Sequence, residues 1–178
     1  MLGHDLMDRT QILHRRILAL TWLFIIGLVL SGATAIPLPS EVDRLVELTG
    51  AAQLVDTPAQ TGAPGWALWL VPVQWALGEA AQRAPFVFYA ADWLAFGHFA
   101  IALAFVGALR DPVRNRWLFS FGMIACALVV PYAFVFGAIR GIPLWWRLID
   151  CSFGVFGIIP VWLCRRWVSE LESRLEVS

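Results

Sequence analysis

Four runs of about twenty apolar residues, separated by short polar or charged segments, constrain this chain more than any other feature. They extend from Ile17 to Ile36, from Phe86 to Leu109, from Trp117 to Ile139 and from Leu148 to Leu163. Leu144, Trp145 and Trp146 can lengthen the last run, giving a span of about 145–164. A helix rises 1.5 Å per residue, so about twenty residues cross the roughly 30 Å of bilayer hydrocarbon. The fold class expected is therefore an all-α integral membrane protein, a single domain over residues 1–178 with four transmembrane helices.

Composition agrees with lipid as the solvent. Hydrophobic residues make up 60% of the chain and charged residues 15%, and the mean hydropathy is +0.71. A soluble domain of this size cannot bury so large an apolar fraction. The thirteen basic and thirteen acidic residues cancel, so there is no basic face for nucleic acid.

The chain contains no lysine, and its thirteen arginines set the orientation. Arg9, Arg15, Arg16, Arg110, Arg114, Arg116, Arg165, Arg166 and Arg174 fall on one side of a four-span topology. Arg44, Arg83, Arg140 and Arg147 fall on the other. The positive-inside rule then puts both termini in the cytoplasm, and the arginine-only usage points to a GC-rich bacterium and its inner membrane. Arg15-Arg16, the apolar run and Ala33-Thr34-Ala35 also have the layout of a cleavable signal peptide. The run is long enough to span, and retention is the expectation.

Residues 40–84 form the one large extramembrane segment, expected to hold short interfacial helices. Ser40-Glu41-Val42-Asp43 resembles a capping box, and Val42, Leu45, Val46 and Thr49 share a helical face. Asp56 to Gly65, rich in Pro and Gly, is expected as a loop. Trp66 to Leu77, carrying Pro72, reaches only about 18 Å as a helix and suits an interfacial or re-entrant position, burying Trp66, Trp69, Leu70, Val73 and Leu77. After Arg165, Val168, Leu171 and Leu175 at helical spacing suggest an amphipathic tail for a membrane surface or a partner.

Ionisable residues inside spans are costly unless paired or hydrated. Asp92, Asp150, Arg140 and Arg147 are placed at a similar outer-leaflet depth, two charges against two. One reading is a network that ties the second and fourth spans together. Another is a polar pocket for a lipid headgroup, small ligand or proton, and a third is snorkelling to the interface. His98, near the middle of the second span, is a packing residue, a proton relay or the single axial ligand of a cofactor. No second histidine matches its depth, so no metal site is expected. Cys126, Cys151 and Cys164 fall at three depths and are expected as small core residues.

Stripes of small residues are expected to bring helices together: Ala100, Ala104 and Ala108 in the second span, Gly154 and Gly157 in the fourth, and Gly27 with Ser31 in the first. Pro131 and Pro160 are expected to kink their helices. No P-loop, G-x-G-x-x-G, H-E-x-x-H or G-x-S-x-G motif occurs. Three functions of different class stay open: a non-catalytic subunit or interaction protein of a membrane assembly, partnered by another membrane protein or by itself; an outer-leaflet binding or transport module; and an enzyme or electron-transfer subunit using His98.

Overall fold

The structure, a computed structural model, describes residues 2–55 and 62–175. All regular structure among them is helical: α1 (Leu2–Ala35), α2 (Leu38–Thr49), α3 (Ala51–Val55), α4 (Gly65–Arg83), a 3-10 turn (Pro85–Phe88), α5 (Tyr89–Arg110), α6 (Arg116–Ile139) and α7 (Leu144–Leu175). Four segments are long and apolar enough to cross a membrane: Arg9–Ala35, Pro85–Arg110, Arg116–Ile139 and Leu144–Arg174. The α-helical part of the second begins at Tyr89, because Pro85 first closes a 3-10 turn. The expected loop at Asp56–Gly65 falls mostly outside the described residues.

The chain divides into two compact units, residues 1–28 with 101–178, and residues 29–100. In the first unit α6 and α7 run antiparallel. Arg116 pairs with Glu172, a β-carbon on Gly122 would meet Val161, Cys126 lies against Gly154 and Gly157, and Gly137 lies against Arg147. The buried face of α7 is Cys151, Gly154, Val161, Cys164, Val168 and Leu171, at three-, four- and seven-residue spacings that keep one seam facing its neighbours. Phe105, Phe119, Ile17 and Ile25 complete this core, with Phe24 and Phe105 ring centroids 4.8 Å apart.

Small residues govern the helix contacts, although not all the expected ones. A β-carbon on Gly154 would lie 2.5 Å from the Cys126 carbonyl oxygen, and one on Gly157 3.1 Å from Cys126 Sγ. Gly27, by contrast, is exposed with nothing within 4 Å of such a carbon, and Ser31 is half-buried. On α1 the close approach is at Gly32, against Phe99 and the Ala95 carbonyl. On α5 the buried positions are Ala95, Ala102, Phe105 and Ala108, whereas Ala100 and Ala104 are exposed. α6 and α7 continue as helices through Pro131 and Pro160.

The tail after Arg165 is not a separate amphipathic helix but the last turns of α7, with Val168 and Leu171 buried in the core of the first unit.

The second unit has its own small core of Val42, Val46, Ala51, Ala67 and Leu70, with Trp66, Trp69, Val73 and Leu77 packed around it. α2 starts at Leu38, so Ser40 lies inside the first turn and makes no capping bond. Pro39 supplies a pre-set φ there instead. Gly50, at φ 65°, ends α2 in the left-handed conformation that glycine adopts without a β-carbon clash. Gln74 Nε2 donates to Asp43 Oδ1 at 2.9 Å, joining α4 to α2. α4 runs past Leu77 to Arg83, through Pro72. Ala80, Ala81 and the Glu79–Arg83 pair at 3.2 Å carry the helix beyond its apolar stretch.

Candidate functional site

The α6–α7 hairpin turn explains how Arg147 and Asp150 are held. Ile142 N–H donates to the Gly137 carbonyl at 2.8 Å and Gly141 N–H to that of Ala138 at 3.1 Å. With Gly141 at φ 68°, this is the paired bonding that satisfies the last carbonyls of a helix. Pro143 follows, and its carbonyl accepts from the N–H groups of Trp146 and Arg147 at 3.1 Å each, starting α7. The chain therefore reverses in four residues and lays the first turn of α7 beside the last turn of α6.

Arg147 then crosses Gly137. A β-carbon on Gly137 would lie 2.5 Å from Arg147 Cδ and 2.6 Å from Cγ. The arm is sunk in the helix contact, and its Nε is buried without a hydrogen-bond acceptor. Asp150 stands one turn further along α7, half-buried, and Arg140 is exposed at the end of α6. The ion pairs among the described residues are Arg83–Glu79, Arg116–Glu172 and Arg174–Glu170, so none joins Arg140, Arg147 or Asp150. Asp92 belongs to the other unit, where it is exposed in the first turn of α5.

No known protein family, curated protein or solved structure matches this chain. Its chemistry rests on its own residues.

His98, in the second unit, is half-buried with Nδ1 2.8 Å from the Leu94 carbonyl oxygen. A carbonyl only accepts, so Nδ1 is the donor in this contact. Its β-carbon also lies against Gly32. Among the described residues, no three His, Cys, Asp or Glu side chains gather closely enough to hold a metal ion.

The three cysteines are free and buried, each at a helix contact. Cys164 Sγ donates to the Ile17 carbonyl at 3.6 Å and lies 3.8 Å from Thr21 Oγ1, which itself donates to Ile17 at 2.7 Å. Cys151 Sγ lies 3.9 Å from the Val130 carbonyl oxygen.

Sequence reasoning missed Gly137 and Thr21. Gly141 and Pro143 signal the turn, but nothing in the sequence ties Gly137 to an arginine ten residues later. Thr21 stands in an apolar run and gives no sign that it faces Cys164.

Proposed function

We propose that this chain is a multi-pass protein of a bacterial inner membrane, with both termini in the cytoplasm, and a non-catalytic subunit or interaction protein of a larger membrane assembly. The four apolar helices and the collection of nine of the thirteen arginines at one end of the topology support the membrane placement. Residues 40–84 then lie outside, with α4 at the interface and its tryptophans at headgroup level.

The observation that carries the subunit reading is the outer face of α6. Phe121, Leu128, Val135 and Ile139 are all exposed large apolar side chains. Their spacing of seven, seven and four residues keeps them on one stripe along the helix. Only 11% of the apolar window of α6 is buried, against 22% in each of the other three helices. A continuous stripe at this period fits a second helix laid alongside, from another protein or from a second copy of the chain. Mild extraction from the native membrane followed by native mass spectrometry tests this. Stoichiometric extra polypeptide mass is expected, and a lone chain would overturn the reading.

A second reading is favoured by the buried, unpartnered Arg147 Nε. There the outer end of the α6–α7 hairpin, with Arg140 and Asp150, takes up an anionic or hydrogen-bonding ligand from the outer leaflet. A lone chain carrying a stoichiometric small molecule, lost in Arg147→Gln, would favour it.

A further inference from the structure

At the opposite end of the same hairpin, α6 and α7 border an open groove of about 400 Å³ whose walls change character along its length. Arg165, Arg166, Ser120 and Ser169 line one part, and Met123, Ile124 and Trp162 the other. Arg165 is fixed in place: its Nε donates to Ser120 Oγ at 3.1 Å and one terminal nitrogen to Ser169 Oγ at 2.5 Å. Ser169 in turn donates to the Arg165 carbonyl at 3.2 Å. Arg166 lies over the Trp162 ring, 6.0 Å from its centroid.

Both arginines lack a carboxylate partner among the described residues. Their neighbours do not: Arg116 pairs with Glu172 at 2.6 Å and Arg174 with Glu170 at 2.7 Å. Glu172 and Glu170 thus neutralise Arg116 and Arg174 and leave the two positive charges inside the groove without a counter-charge. The serines hold Arg165 without quenching it, since they are neutral acceptors. The remaining N–H groups of a guanidinium match the oxygens of a phosphate.

Depth decides what kind of phosphate. From Leu144 to Arg165 is about 31 Å of helix, close to the thickness of the hydrocarbon layer. The guanidiniums therefore stand at headgroup level. Trp162 sits one turn deeper, and Ile124, exposed, stands one turn deeper along α6 than Ser120.

We propose that this groove is a binding site for an anionic phospholipid, whose phosphate sits between Arg165 and Arg166 and one of whose acyl chains lies along Met123 and Ile124. The inference rests on the membrane placement above but not on the subunit reading. It concerns a different end of the bundle from Arg147.

The test uses the full chain in mild detergent, titrated with phosphatidylglycerol or phosphatidylcholine and read by native mass spectrometry. Phosphatidylglycerol is expected to bind at least five-fold more tightly. Arg166→Gln, which removes no hydrogen bond within the described chain, is expected to weaken it about five-fold, and Arg165→Gln/Arg166→Gln about 25-fold. Arg110→Gln/Arg114→Gln removes the same charge at the same end, outside the groove, and is expected to change binding less than two-fold. Equal binding of phosphatidylcholine, an equal loss in that control, or displacement of the lipid by inorganic phosphate would overturn the proposal. If the chain is not recovered from the membrane fraction, the membrane placement itself fails. Recovery there without lipid preference sinks only the lipid site.

Discussion

Arg147 lies so close over Gly137 that no β-carbon fits between α6 and the arginine arm, the clearance to Cδ being 2.5 Å. One glycine thus does two things, because its carbonyl also accepts the Ile142 N–H that ends α6. Gly137→Ala is expected to push the arm out and destabilise the bundle by about 1–3 kcal/mol, the usual cost of overpacking. Thermal unfolding in detergent measures it. Because the clash needs both partners, Gly137→Ala/Arg147→Ala should cost clearly less than the two single changes summed. Additivity would show that the crossing is not what the glycine serves.

The same logic separates the glycines of the other helices. Gly154→Val places side-chain atoms against the Cys126 carbonyl, which cannot move without moving α6. A loss of about 1–3 kcal/mol or more is expected. Gly27→Ala meets nothing within 4 Å and is expected to be neutral or to stabilise by up to about 1 kcal/mol through helix propensity. Unfolding of both variants in one detergent gives the comparison, and equal losses would contradict the assigned packing.

Burial of Cys126, Cys151 and Cys164 as free thiols predicts slow labelling. A maleimide reagent should add little mass to the folded protein and three adducts after denaturation, without reductant. Fewer than three adducts would mean a disulfide. Thr21→Val, which removes the contact from α1 to Cys164 on α7, should cost about 0.6 kcal/mol, the average for a polar contact between membrane helices.

Substituting His98 tests its role directly. His98→Leu removes Nε2 and the bond to Leu94. An unchanged visible spectrum, with the protein still accumulating in the membrane, is the outcome expected of a packing histidine. Loss of an absorption band would assign it a cofactor.

Orientation can be read by reporters. A fluorescent protein fused after Ser178 is expected to glow and alkaline phosphatase there to be inactive, whereas phosphatase inserted near Gly62 should be active. The reverse pattern would place the arginine-rich end outside and refute the orientation.

The helices were legible in the sequence because they depend on local quantities. A twenty-residue apolar run flanked by polar or charged residues is a property of neighbouring residues, and it marks the spans. Local pattern was already less reliable at helix ends. α4 outran its apolar stretch because Glu79 and Arg83 extend it, and Ser40 looked like a cap although the helix had begun two residues earlier. Which faces meet was legible only in part: Gly154 and Gly157 do lie against α6, whereas Gly27 meets nothing. In an apolar helix nearly every face is hydrophobic, so the periodicity that marks a buried side in a soluble helix carries little information. Alanine spacing pointed to Ala100, Ala104 and Ala108, of which only Ala108 is buried, on a face it shares with Ala95, Ala102 and Phe105. Likewise, the sequence counted the arginines as one set of topological anchors. Only tertiary structure divided them, by bringing Glu172 across to Arg116 while Arg165 and Arg166 were left in a groove with serines. Charge is a property of the residue, but whether it is neutralised depends on which helix packs beside it.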